Sequence, residues 1–384
     1  MEDIIMRKPG KTGCVILTTI FSIMLVSCLT DNPMKKPFKS YAPPNLGDGW
    51  KIASPADADI NINEEELKSV YRYVHDEDNL WQIRSLLVFR NGKLVAESYM
   101  KDDSDRTTPR AVWSCTKQVV GVLTGIALER ESLDMKIDDP ISKFFPQAPS
   151  DKKDITIKNL LMMKSGIDFR NDGDDDHPGQ IMRGIPSDIP DFILGLGMRS
   201  KPGTQYVYKD GDPHLVSAII QKRTGVTLRD WAKGVLFDEI GIIGSRLEWR
   251  TYKDGTTLGG MGIETTPREL AKIGQLVLNK GEWDGKQIVS ETWINEMTSP
   301  LVPASEMYNN GMAFGYQWWK ETTRDVDFMS GRGGQFVFIN KDKKLMVVIT
   351  SEPGTNGEYV LTPEEALSIY DRINIITKPI TKPD

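Results

Sequence analysis

The stretch that most limits how this chain can fold is Cys115-Thr116-Lys117-Gln118-Val119-Val120-Gly121-Val122-Leu123-Thr124-Gly125-Ile126-Ala127-Leu128, in which Lys117 is the only charge. Val119, Val120, Leu123, Ile126 and Ala127 recur at helical spacing and predict a buried central helix, with Gly121 and Gly125 admitting close backbone approach. Just ahead of it stands Ser114, three residues from Lys117 and on the same helix face. A serine hydroxyl becomes a nucleophile when a base takes its proton, and burial of the helix is expected to lower the pKa of Lys117 until its amine is that base. Backbone N–H groups at the helix start would meet developing negative charge. By itself Ser-x-x-Lys is a common tetrapeptide, usually an N-cap followed by a solvated lysine, so its meaning depends on the rest of the chain.

At 384 residues the chain can build a sizeable core in one two-lobed unit or two domains, and 39% hydrophobic with 27% charged residues suits a globular body. The net charge of −6 is spread along the chain, which gives no electrostatic footprint for nucleic acid. At the N-terminus, Arg7, Lys8 and Lys11 precede an apolar segment from Cys14 to Val26, the layout of a signal peptide over residues 1–27. The segment ends in Leu25-Val26-Ser27-Cys28, which resembles the bacterial lipobox and implies lipid on Cys28 of an exported, membrane-anchored protein. Residues 28–48, polar and proline-bearing, are expected to be a tether. Of three cysteines only Cys115 would then remain in the body, where a packing role is favoured over a reactive thiol.

Within the body, Asn63 and Glu66 flank the start of an amphipathic helix carrying Leu67, Val70, Tyr71 and Val74. Leu86 to Phe89 and Leu94 to Ala96 form a hairpin through Asn91-Gly92. Short helical stretches, Ile157 to Met163 and Ile189 to Leu196, alternate with turns between residues 134 and 250, and the acidic loop Asn171 to His177 lacks the ligand spacing of a calcium loop. Thr266-Pro267-Arg268-Glu269 and Thr362-Pro363-Glu364-Glu365 read as capping boxes opening helices. Between them Tyr316 to Trp319, Phe336 to Ile339 and Leu345 to Ile349 are strand-like, with Asn340 to Lys344 as a turn. The expected fold is α/β: an antiparallel sheet from both chain ends (residues 49–133 and 251–384), flanked by helices, with a mostly helical lobe (134–250) inserted.

Two further sites accompany the Ser/Lys pair. Pro202 to Asp210 is a turn and an extended stretch that puts Tyr208 at an element's end, where a phenol beside an ammonium can shuttle a proton. Ser330-Gly331-Arg332-Gly333-Gly334-Gln335 has small residues that let backbone approach a substrate and aim a main-chain N–H at an oxyanion. Together and in this order the three resemble the serine β-lactamase and penicillin-binding protein superfamily, particularly its class C-like branch of esterases and 6-aminohexanoate-dimer hydrolases. Its motifs read here as Ser114-Cys115-Thr116-Lys117, Tyr208-Lys209-Asp210 and Arg332-Gly333-Gly334, and phrases such as Arg90 to Glu97, Ile157 to Gly166, Gly259 to Gly262 and Phe314 to Trp319 also match.

The resemblance implies a β-lactamase/transpeptidase-like fold with Ser114 as acylated nucleophile, Lys117 as general base, Tyr208 as proton relay and the N–H groups of Ser114 and Gln335 as oxyanion hole. Asp210, Arg332, Gly333 and Gly334 would line the substrate site, with no metal or cofactor. Asp210 stands where the branch has Asn, with Lys117 and Lys209 as alternative partners. Arg332 stands for Lys or His, and would grip a substrate carboxylate or hold Asp210. The only histidines, His75, His177 and His214, fit no Ser-His-Asp or zinc pattern; His214, six residues after Tyr208, is within reach of the site, with a helix start as the preferred placement. The implied function is hydrolysis of small esters or amides through an acyl-enzyme. Alternatives are a β-lactamase or D-amino-acid peptidase and, outside the enzymes, a non-catalytic penicillin-recognising domain.

Overall fold

Asn91 (φ 51°) and Gly92 (φ 73°) form the left-handed two-residue turn that the Asn-Gly pair predicts, and Arg90 pairs with Lys93 across it. In the computed structural model, which describes residues 38, 40–171, 177–184, 188–307, 311–354 and 360–379, this hairpin sits inside an eight-stranded sheet. Its strands are β1 (Lys51–Ile52), β2 (Ile83–Arg90), β3 (Lys93–Tyr99), β4 (Met312–Phe314), β5 (Trp319–Glu321), β6 (Val326–Gly331), β7 (Gln335–Asn340) and β8 (Leu345–Ser351). Their order, β1-β3-β2-β8-β7-β6-β5-β4, joins the early hairpin to the late meander through antiparallel β2 and β8, where Val88 faces Val347. The sheet is thus built from both ends of the chain, antiparallel except where β1 runs parallel to β3 at one edge.

The helices that frame the sheet and the site are α1 (Glu64–Asp76), α2 (Cys115–Leu128), α3 (Ile157–Leu161), α4 (Gly211–Thr224), α5 (Pro267–Leu278) and α6 (Pro363–Ile376), with α1 and α6 on one face of the sheet and α2 and α5 on the other. The strand period of two divides the sheet's side chains: Leu86, Val88, Phe338 and Val347 pack with Leu67 and Tyr71 of α1 and Ile369 and Tyr370 of α6. Leu87, Phe89, Val337 and Val348 face the other way, onto Val119 and Leu123 of α2 and Ile273 and Leu276 of α5. Helices, the short α3 and the longer α4 among them, occupy much of the stretch from 134 to 250. A small sheet of Arg110–Ala111, Ile263–Thr265 and Leu247–Trp249 leads the chain into Ser114.

Three expectations change. The capping box at Thr362 is complete, but at Thr266 only half forms: its hydroxyl accepts from Glu269 N, while the buried Glu269 carboxylate turns to Lys272 (2.8 Å) and Ile243 N (3.3 Å). Tyr316 to Trp318 is a turn, not a strand, because Gln317 is left-handed (φ 65°) and its side chain donates to the carbonyls of Leu160 and Leu161. Residues 40–48 of the expected tether lie on the body, where Tyr41 stacks on Tyr71 at 5.1 Å and takes the N–H of Glu97 on its carbonyl. Asp48 is clamped there by buried Arg268, which also holds Glu97. The segments expected as a signal peptide and lipid-bearing Cys28 lie outside the described residues, as does Asp172 to Asp176. No helix among the described residues is long and apolar enough to cross a membrane.

Candidate active site

The route into α2 makes its first hydroxyl available. Val112 is tied to Ile263 O, and Trp113 then takes a left-handed conformation (φ 50°) that costs a non-glycine residue about 1–2 kcal/mol. The result is a sharp step from strand into helix at Ser114. Ser114 is already helical (φ −67°, ψ −8°), and its side chain caps no backbone N–H. Its hydroxyl is therefore free to meet Lys117, whose Nζ lies 2.8 Å from Ser114 Oγ. Cys115, the next residue, is fully buried with Sγ 3.5 Å from Gln335 O, and burial pushes its thiol well above the ordinary range. It is a packing residue.

Lys117 corrects one expectation. Its side chain is completely buried, and burial, the largest single influence, does push its amine down. Asp210 and Tyr208 act together against this, by charge and by hydrogen bonding, and the net result is an amine held above the ordinary lysine value. Nζ donates to Asp210 Oδ1 at 2.5 Å and to Gly260 O at 2.7 Å, besides its contact with Ser114. It also lies 4.9 Å from the Tyr208 ring centroid. Ser114, Lys117, Tyr208 and Asp210 thus come together as one cluster.

Residues 205–209 belong to no helix or sheet and are pinned where Val207 donates to Met163 O. Tyr206 and Tyr208, two apart, both contact Phe314, and Tyr208 also packs on Trp319 at 5.7 Å. This aromatic wall borders the cluster. Lys209 points away, donating to Ile167 O (2.9 Å) and Ser165 Oγ (3.3 Å), so of the two possible partners Asp210 has Lys117. The backbone N–H of Asp210 is fixed by Asn171 Oδ1 at 2.8 Å.

Gly260 was given no role by the sequence, and His214 was given a helix start in preference to an approach to the site. His214 does stand in the first turn of α4, and it also supports the site: its Nδ1 accepts Gly259 N–H at 2.9 Å and Gly260 N–H at 3.4 Å. Burial first, with Lys117 adding to it, lowers its pKa to about 4, so the imidazole is neutral at pH 7. A Cβ at Gly259 would lie 2.0 Å from Pro213 O, and one at Gly260 would lie 2.9 Å from Asp210 Cβ. The sequence signal was the pair of glycines itself, since only small residues fit against the start of α4.

The third motif is placed beside Ser114 by Cys115, which touches Gln335 O, while the Gln335 side chain is locked onto Ser351 O at 2.7 Å. Its glycines are each pressed against other parts of the protein. Cβ atoms would lie 2.2 Å from Val112 O at Gly331, 2.4 Å from Pro353 Cα at Gly333 and 2.7 Å from Leu361 Cβ at Gly334. Gly333 (φ 82°) and Gly334 (φ 92°) are also required by the turn between β6 and β7. Arg332 is exposed, its guanidinium 5.6 Å from the Trp113 ring centroid. Among the described residues it makes no ion pair with Asp210, which removes one of its two expected roles.

Comparison with known proteins gives the chain's family and fold relatives. The beta-lactamase family profile matches residues 82–369. The chain is 23% identical over 295 residues to a 6-aminohexanoate-dimer hydrolase of Paenarthrobacter ureafaciens, covering 70% of this chain and 72% of that protein. Among solved structures, a Bacillus anthracis protein provisionally named a 6-aminohexanoate-dimer hydrolase superposes with a TM-score of 0.67 at 19% identity, covering 87% of this chain and 89% of that one. A family VIII carboxylesterase gives 0.63 at 16% identity, over 81% of this chain and 97% of its own. At these identities the structural likenesses speak for the fold.

Proposed function

The chain belongs to the beta-lactamase family, and from that premise we propose that it is a serine hydrolase cleaving ester or amide bonds of small acyl substrates through an acyl-enzyme on Ser114. The observation that carries this reading is the 2.8 Å contact between Lys117 Nζ and a Ser114 hydroxyl that the helix leaves unused. Ser114 Oγ bonds to the acyl carbon as its proton passes to the amine form of Lys117, and the carbonyl electrons move to oxygen. The N–H groups of Ser114 and Gln335 receive that oxyanion. Tyr208 relays a proton to the leaving group, and water then frees the acyl chain. The exposed Arg332 beside Trp113 meets an anionic end of the substrate.

The similar 6-aminohexanoate-dimer hydrolase and carboxylesterase act, by their names, on an amide and on esters, which supports both bond types. Asp210 weighs against β-lactam or D-amino-acid peptide substrates. An ionised carboxylate only accepts hydrogen bonds, and this one is occupied by Lys117, so it has no N–H to offer an acylamide carbonyl. The assembled Ser114, Lys117 and Tyr208 weigh against a non-catalytic role. A panel of p-nitrophenyl esters, short linear amides and nitrocefin tests the reading. Ester turnover is expected, with Ser114→Ala lowering kcat at least about a thousandfold. An unimpaired Ser114→Ala enzyme would overturn it, and nitrocefin outrunning every ester would replace it with a β-lactamase.

A further inference from the structure

The three contacts of Lys117 leave its protonation state with a visible job. As an ammonium it has three N–H donors, and three oxygens receive them: Ser114 Oγ, Asp210 Oδ1 and Gly260 O. As a neutral amine it would keep the bonds to Asp210 and Gly260, and its lone pair would face Ser114 Oγ. Loss of one proton therefore reverses the Ser114 hydrogen bond while those to Asp210 and Gly260 stay as they are. The hydroxyl changes from acceptor to donor, which is the arrangement a nucleophile needs.

Resting on the serine-hydrolase reading above, we propose that Asp210 is the positioning residue that holds this proton on Lys117, keeping Ser114 switched off until alkaline conditions remove it. The groups facing Lys117 are few. Ser114 and Cys115 stand on its own helix, Tyr208 on the segment before α4, Asp210 at the N-cap of α4, His214 in the first turn of α4, and the Gly260 carbonyl on the loop before the Ile263–Thr265 strand. His214 is uncharged, its Nδ1 taken by backbone N–H groups, and Lys209 is engaged with Ser165 and Ile167. Among the described residues Asp210 has Lys117 as its only ion-pair partner. Its place in the chain is fixed, since Asn171 holds its backbone N–H and Gly260 lies close to its Cβ. The raised pKa of Lys117 agrees with this geometry.

The proton balance is simple. Hydroxide or buffer base takes one proton from the ammonium. The amine then accepts the Ser114 proton as Oγ bonds to the acyl carbon, and the ammonium is restored beside Asp210. An amide at position 210 keeps the shape and removes the charge, so it should release the proton at lower pH.

The test is kcat/KM for p-nitrophenyl acetate from pH 6 to 10 in the wild type, Asp210→Asn and Asp210→Glu, with fluorophosphonate labelling of Ser114 in each. The wild type is expected to gain roughly tenfold per pH unit without levelling off below pH 9. Asp210→Asn should move that limb down by about one unit or more and so run about tenfold faster at pH 7.5, while Asp210→Glu keeps the wild-type limb. An unmoved limb in Asp210→Asn, with Ser114 still labelled, overturns the proposal and leaves the hydrolase standing. A wild-type plateau already reached at pH 7 overturns it without any variant. Absence of label on wild-type Ser114 at every pH would fell the hydrolase reading itself.

Discussion

His214 never touches Lys117 in the contacts that define the site, yet it sets where one of them points. Its neutral Nδ1 takes the N–H groups of Gly259 and Gly260, and the Gly260 carbonyl then receives the lysine. Protonation at Nδ1 would put a donor against those donors. The pH dependence comes from the direction of the shift. The folded pKa of about 4 lies below the ordinary 6.5, so the unfolded chain binds the proton first, and stability from this group is full above pH 6.5 and lost as pH falls toward 4. The loss amounts to about 3 kcal/mol. Urea unfolding at pH 4.5 and 7 should show most of that difference in the wild type and a much smaller one in His214→Asn. Equal pH dependence in the two proteins would contradict the assignment.

Among the elements, α2 is the one whose packing fixes the nucleophile. Gly125 sits under the Trp293 indole, where a Cβ would come within 2.1 Å of Cδ1, and that indole donates to Gly121 O at 3.1 Å. Gly125→Ala must displace it, at a cost of about 1–3 kcal/mol. Calorimetry should record a lower unfolding midpoint, and an unchanged one would mean that the helix is not held this way. Gly121, Gly125 and the apolar stripe made this helix readable in advance, as Asn91-Gly92 and Thr362 to Glu365 did for the hairpin and α6, because each signal is local. What escaped was set by distant partners. Tyr316 to Trp318 looked like strand until Gln317 was drawn to α3, and residues 40–48 looked like tether because Tyr71 and Arg268 are far along the chain. Burial of Lys117 was legible too, but the partner that reverses its pKa lies 93 residues away. The glycines at 333 and 334 were visible, whereas Pro353 and Leu361, which require them, were not.

For the whole molecule, the site exists only when separate parts of the chain are folded together. Ser114 and Lys117 come from the helix against the sheet, Tyr208 and Asp210 from the helical lobe, Gly260 from the loop before the Ile263–Thr265 strand, and Gln335 from the start of β7. Unfolding would separate Lys117 from Asp210 and Gly260 and return its amine to water, leaving Ser114 an ordinary serine. Reactivity at Ser114 is thus a property of the native fold. The most direct measurement is peptide mapping of the protein after exposure to a fluorophosphonate at pH 9, once in native buffer and once in concentrated urea. The account predicts a single adduct on Ser114 in the native protein and none in urea. An adduct on another residue, or equal labelling of Ser114 in both conditions, would contradict it.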